Sequence, residues 1–168
     1  MRLFVALYPP EVVVQDLPRR SGKEHVTLAF LGDVKDPAGL RDALRAVERR
    51  EAPRLRLAGA GRFPGGAVWL GLLGELDRLR RLRDQVQEAV EAMGLPRASG
   101  PWRPHLTIGR GGAVPTALRS YEGPEAAWRE VALVHSTLTR QGAVHVPLRT
   151  WRLPLASGAA APNEQPPR

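Results

Sequence analysis

Hydrophobic positions along the chain follow two periods, and the switches between them divide it into elements. Leu3-Phe4-Val5-Ala6-Leu7-Tyr8 is a short apolar run stopped by Pro9-Pro10, as expected of a buried strand. Residues 11–16 allow a short helix, against the β-branched run Val12-Val13-Val14, which is stiff at χ1. Residues 25–31 alternate as a strand and stop at Gly32-Asp33. Asp36-Pro37 reads as an N-cap with proline at the first helical position, and Leu40, Leu44 and Val47 then share one stripe of a helix reaching about Arg50. Leu55 and Leu57 alternate with arginines, and Val68, Leu70 and Leu72 alternate with Trp69, Gly71 and Leu73. The turn Gly61-Arg62-Phe63-Pro64-Gly65-Gly66 joins these two strands as a hairpin. Residues 75–93 place Leu76, Leu79, Leu82, Val86, Val90 and Met93 at 3.6-residue spacing, with Gly94 as the C-terminal cap. A strand over 105–110 is entered through Pro101-Trp102-Arg103-Pro104 and ended by Gly111-Gly112. Strands over 128–138 and 144–155 turn at Gln141-Gly142. Residues 157–168 are Ala, Pro and polar side chains without periodicity, expected to form a disordered tail behind a single domain of residues 1–156.

Two of these strands are copies of one idea. His25-Val26-Thr27-Leu28 and His105-Leu106-Thr107-Ile108 each put His and Thr on one strand face and aliphatic residues on the other. Extended to ten residues, from His25 and from His105, the segments share four identities. The order strand, motif strand, helix, two strands, helix, motif strand, two strands suggests an internal duplication. Two lobes about a pseudo-twofold axis would bring the motif strands face to face. A third copy, His135-Ser136-Thr137-Leu138, has no counterpart in the other half, and His145 lacks the threonine; both are read as structural. Phe4, Trp69, Trp102 and Trp128 are large enough to stack a base, but in a chain with 5% aromatic residues they are assigned to the core.

Two facing imidazoles suit in-line opening of a cyclic phosphodiester. Attacking water needs a base and the departing alkoxide an acid, and a histidine near pH 7 can fill either role. Thr27 and Thr107, about 7 Å along each strand from their histidines, are placed to donate to the non-bridging oxygens as charge develops. No His-Glu-x-x-His helix or carboxylate cluster adjoins either motif, so metal-independent hydrolysis is expected, with no cofactor.

Composition narrows the setting. There is no cysteine, hence no disulfide, thiolate nucleophile or Cys-based zinc site, and the reducing cytoplasm is the expected compartment. The opening strand is too short for a signal peptide, and no apolar run approaches the roughly 20 residues that span a bilayer. A compact monomer is expected. A net charge of +8 points to a polyanion such as nucleic acid, although 23 of the 25 basic residues are arginine, a bias that a GC-rich genome or a thermophile also produces.

From Arg2 to Leu155 the chain resembles the 2H phosphoesterases, in particular the bacterial and archaeal RNA 2',3'-cyclic phosphodiesterases once described as 2'-5' RNA ligases. The likeness is carried by Arg2-Leu3-Phe4-Val5-Ala6-Leu7, the first motif through Gly32, Gly61-Arg62-Phe63-Pro64 with Val68-Trp69-Leu70-Gly71, Arg103-Pro104 with the second motif through Arg110, and Ser136-Thr137-Leu138 with Gln141-Gly142-Ala143. The resemblance implies a bilobal α+β fold with two antiparallel sheets lining a central cleft and helices outside. It implies hydrolysis of a terminal 2',3'-cyclic phosphate on RNA, tRNA-derived ends included, to a 2'-phosphate. It assigns His25 as proton donor, His105 as proton acceptor and Arg110 as a substrate contact. Strict alternation sets Arg110 on the face opposite His105 and Thr107, so it serves the cleft only if Gly109 bends the strand end. The segment before His25 is shorter than is usual in the family, and Ala29 stands where a basic residue is common. Two other readings stay open: ATP-independent 2'-5' ligation by the reverse reaction, and RNA-end binding without catalysis.

Overall fold

The computed structural model describes residues 1–157. The chain runs β1 (Arg2–Tyr8), α1 (Glu11–Asp16), β2 (Val26–Asp33), α2 (Ala38–Leu44) with a 3-10 turn (Arg45–Arg49), β3 (Arg54–Arg62) and β4 (Ala67–Gly74). Then come α3 (Leu76–Ala92), β5 (His105–Arg110), α4 (Thr116–Arg119), β6 (Ala126–Ala127), β7 (Glu130–Thr139) and β8 (Gly142–Arg152). Most expected elements are present within a residue or two. The short α1 forms despite its three valines because Val13 is fully buried, so packing outweighs the χ1 penalty. The helix expected to reach Arg50 breaks at Leu44 and tightens into the 3-10 turn. β2 starts one residue after His25, and α4 and β6 lie in a stretch whose pattern predicted nothing. The tail expected over 157–168 lies outside the described residues, apart from Ser157.

All pairings among the described residues are antiparallel, in the order β6-β3-β4-β5-β2-β1-β7-β8. This corrects the expected pair of sheets. There is one sheet of two four-stranded halves, joined at a seam where β2 and β5 pair only at Val26 and Leu106. Each half combines two strands from each half of the sequence: β3 and β4 with β5 and β6, and β1 and β2 with β7 and β8. The motif strands are therefore neighbours at the seam rather than opposed walls.

One sheet face carries the core. Leu3, Val5, Leu7, Val26, Leu28, Leu70, Leu106 and Val131 pack in one cluster with Leu79, Leu82, Val86 and Val90 of α3. Each fully buried leucine contributes about 1.5–3 kcal/mol. On the other face a small cluster of Phe4, Ala6, Ala132 and Val134 leaves room beside it, and there the motif side chains stand.

Candidate active site

The lone seam pair sets the register of the site. Val26 and Leu106 are buried and face the core, so the residues on either side of each face the opposite way. Antiparallel register about that pair brings His25 level with Thr107, and Thr27 level with His105. Each imidazole then sits beside the other strand's hydroxyl. For ideally paired strands the diagonal between the two histidines is roughly 7–8 Å, enough to hold one phosphate. Beyond the pair the strands part, and side chains satisfy the freed carbonyls: Trp102 Nε1 donates to Thr27 O at 3.2 Å and Gln87 Nε2 to Leu28 O at 3.5 Å.

Both imidazoles are aimed by the same device. His25 Nδ1 lies 2.7 Å from Lys23 O, and His105 Nδ1 lies 2.7 Å from Arg103 O. A carbonyl only accepts, so each Nδ1 carries the proton and each Nε2 turns its lone pair to the cleft. Thr27 Oγ1, 3.1 Å from His25 Nε2, donates to it while that ring is neutral. Behind His25, the Glu24 carboxylate is buried and accepts from Ser21 N, Ser21 Oγ and Gly22 N, tying the turn that presents Lys23 O. Burial opposes the charge on Glu24, but these hydrogen bonds prevail and hold its pKa below the ordinary carboxylate value. For His25, burial outweighs the bond to Lys23 O; with the neighbouring His105 it keeps the pKa below the ordinary imidazole value, against the pull of Glu24.

His25, Thr27, His105 and Thr107 line one cleft of about 500 Å³, together with Arg2, Phe4, Ser136 and His145. The convergence of the four motif residues on one concavity agrees with the sequence expectation. Phe4 is 5.0 Å from the His25 ring, and Phe63 meets His105 edge-on at 4.8 Å, so each imidazole is braced by a phenyl ring.

His145, read from sequence as structural, belongs to the cleft wall. Its ring stands edge-on to His25 at 5.5 Å and to Phe4 at 4.9 Å. Burial, followed by the charges of His25 and Lys23, holds its pKa down too. Ser136 lies directly across from it on β7, while His135 pairs with core-facing Leu3 and stays out of the site. No motif signals His145; its place follows from β7 crossing the molecule to pair with β1.

Arg110 is set by a bulge rather than by the bend at Gly109 on which its expected role depends. Val68 pairs with Gly109 and Trp69 with Thr107, so Ile108 is an extra residue in β5. That bulge inverts the alternation and sets Arg110, paired with Ala67, on the side of Thr107. Its guanidinium is 3.4 Å from Gly65 O in the β3–β4 turn. Trp69 lies against Gly61, where a Cβ would overlap its ring, and Trp128 is fully buried. Among the described residues no three His, Asp or Glu side chains converge as ligands for a metal ion, and no helix is long and apolar enough to cross a membrane.

Comparison with known proteins extends these observations. A model of the 2'-5' RNA ligase superfamily matches residues 16–141, a span holding both motifs and Arg110 but ending before His145. An RNA 2',3'-cyclic phosphodiesterase of Aeropyrum pernix is 34% identical over 135 residues, 72% of this chain and 77% of that protein. The protein of the same name from Thermus thermophilus is 34% identical over 199 aligned positions, covering 99% of this chain and 98% of the relative. A solved crystal structure of a Thermus thermophilus protein superposes with a TM-score of 0.75 at 29% identity, covering 94% of this chain and 100% of the other. E. coli LigT complexed with 3'-AMP gives 0.68 at 26% identity, covering 90% and 97%.

Proposed function

Because the chain belongs to the 2'-5' RNA ligase superfamily, we propose that it hydrolyses the terminal 2',3'-cyclic phosphate of RNA to a 2'-phosphomonoester without a metal ion. The carrying observation is the crossed pairing of two histidines and two threonines about Val26 and Leu106, with both Nε2 atoms turned to one cleft. Relatives named RNA 2',3'-cyclic phosphodiesterase support the substrate.

Water attacks phosphorus opposite O3', forming the new P–O bond as the P–O3' bond breaks. His105 Nε2 accepts the proton from water, and protonated His25 Nε2 gives its proton to O3'. Each transfer is worth about a hundred- to ten-thousand-fold in rate. Protonation of His25 removes the lone pair that accepts from Thr27, so the Thr27 hydroxyl is free to donate to a non-bridging oxygen while Nε2–H faces O3'. Thr107 donates to the other oxygen. Arg110, on the same side of β5, contacts the incoming chain's phosphate.

The test is incubation of an RNA ending in a 2',3'-cyclic phosphate, with EDTA present, and identification of the phosphomonoester. A 2'-phosphate formed at an undiminished rate is expected; a 3'-phosphate, or loss of activity with EDTA, contradicts the scheme. The superfamily's name favours a second reading, in which a 5'-hydroxyl takes the place of water in the ring opening and the two ends join through a 2'-5' diester. The ratio of ligated to hydrolysed ends at saturating RNA separates the two. The working unit is taken as a cytoplasmic monomer acting on RNA ends such as those of cleaved tRNA, and gel filtration checks its size.

A further inference from the structure

The reaction cleft does not end at His145. That side chain is also a wall of a second cavity of about 450 Å³, which in turn shares Tyr8, Gly22 and Glu130 with a third of about 540 Å³. Tyr8 packs against the Phe4, Ala6, Ala132 and Val134 cluster, so this groove stays on the cleft side of the sheet. A groove that continues past the reacting centre fits a chain better than a small molecule.

Two side chains of the second cavity take no part in the proton transfers. Lys23 is fixed through its backbone: its N–H donates to Ser21 Oγ at 3.1 Å and its carbonyl accepts from His25. Its ammonium, by contrast, has no carboxylate partner among the described residues. Antiparallel register about Val26 and Leu106 sets Lys23 and Arg110 at the same end of the motif strands. The Arg19 guanidinium adds to the charge there, 3.9 Å from where a Cβ on Gly109 would stand. Tyr8, half-buried, offers an aromatic ring and stands directly across from Glu130 on β7.

An ammonium and then an aromatic ring, in a groove leading away from a phosphate-handling cleft, repeat the phosphate and base of one more nucleotide. We infer that the cavity beyond His145 receives the nucleotide preceding the one that carries the cyclic phosphate, its base stacked on Tyr8 and the linking phosphate at the end marked by Arg110 and Lys23. The inference rests on the hydrolysis proposed above and adds a second nucleotide subsite to it. Glu130 sets the polarity. Its carboxylate repels phosphate, so the backbone keeps to the Lys23 side and the uncharged base takes the Tyr8 side. Every base has a π-face, so a single ring reads the presence of a base and not its identity. The subsite therefore favours a longer chain over a mononucleotide without selecting a sequence.

The experiment compares kcat/KM for three substrates: the dinucleotide ApA ending in a 2',3'-cyclic phosphate, the same dinucleotide with its first base absent, and adenosine 2',3'-cyclic phosphate. The wild-type enzyme is expected to prefer the complete dinucleotide over the abasic one by about five- to a hundredfold, the range of one base stacked on an aromatic ring. Tyr8→Leu keeps an apolar side chain on the Phe4 cluster and is expected to bring that ratio to about one. Lys23→Met, at an exposed position whose backbone bonds are kept, is expected to narrow the gap between the abasic dinucleotide and the mononucleotide. It is also expected to flatten the salt dependence of that gap by about 0.7 in logarithmic slope. Both ratios are internal to each variant, so a general loss of activity does not mimic either result. Equal kcat/KM for dinucleotide and mononucleotide in the wild type overturns the inference, as does a base preference that survives Tyr8→Leu or a gap unchanged by Lys23→Met. Turnover of none of the three by the wild type defeats the hydrolysis itself, and the inference with it.

Discussion

Each imidazole takes its direction from a carbonyl two residues before it, and this shared restraint lets two ordinary side chains act as a matched pair. Burial and the neighbouring His105 hold the His25 pKa below the ordinary imidazole value in the free protein, while its proposed role requires a proton. A bound phosphodiester anion favours the imidazolium and raises that pKa again. The descending limb of kcat/KM is therefore expected below the ordinary imidazole value, and the limb of kcat at higher pH, when both are measured from pH 4.5 to 9. Coincident limbs speak against His25 as donor. The hydroxyls make a second prediction. Thr27→Val and Thr107→Val each remove one donor to the phosphate and are expected to lower kcat about ten- to a hundredfold with little change in KM. At this scale the sequence was informative where a motif repeated and silent where a residue stood alone. His25, Thr27, His105 and Thr107 were readable from their shared pattern; His145 was not, because nothing local distinguishes it from a strand histidine.

Bulges decide what the strands present. Regular alternation, the only rule a single sequence supplies, put Arg110 on the wrong face, since the extra Ile108 in β5 emerges only once β4 is alongside. The same holds for Phe30, exposed between Leu28 and Leu31. Long periodic elements were legible: α3 follows its leucine and valine stripe to within a residue of the expected ends. The short α4 and β6 were not, because four and two residues hold too little pattern. The parted seam beyond Val26 and Leu106 depends on borrowed donors, which makes it testable. Trp102→Phe leaves Thr27 O without its indole partner and is expected to cost about 1 kcal/mol in urea unfolding. A larger fractional loss in kcat than in stability is expected as Thr27 loosens; unchanged kcat means the indole serves packing alone.

The described residues form one sheet in which each side of the seam combines two strands from each half of the sequence, so the candidate site lies where those halves meet. Two expected sheets became one because a single backbone pair across the seam suffices to make it continuous, a detail below the resolution of any pattern argument. Concentrating two imidazoles of depressed pKa, His25 and His145, has a cost to folding. As pH falls through about 6.5 the unfolded chain takes up protons the native state refuses, so stability declines. Glu24, depressed by its hydrogen bonds, adds stability present above the ordinary carboxylate value and lost as pH falls through its folded pKa. The melting temperature is expected to drop between pH 7.5 and 5.5, and the double substitution His25→Gln with His145→Gln to flatten that drop; an equal drop in both proteins contradicts it. The central claim is that His25 and His105 handle the two protons of a single displacement at one phosphorus. It is tested most directly by turnover of an RNA 2',3'-cyclic phosphate by His25→Ala, His105→Ala and the double variant. Each single change is expected to cost about a hundred- to ten-thousand-fold, and the double little more than one alone, since two parts of one step are not lost twice. Full activity in either single variant, or losses that multiply in the double, contradicts a shared step.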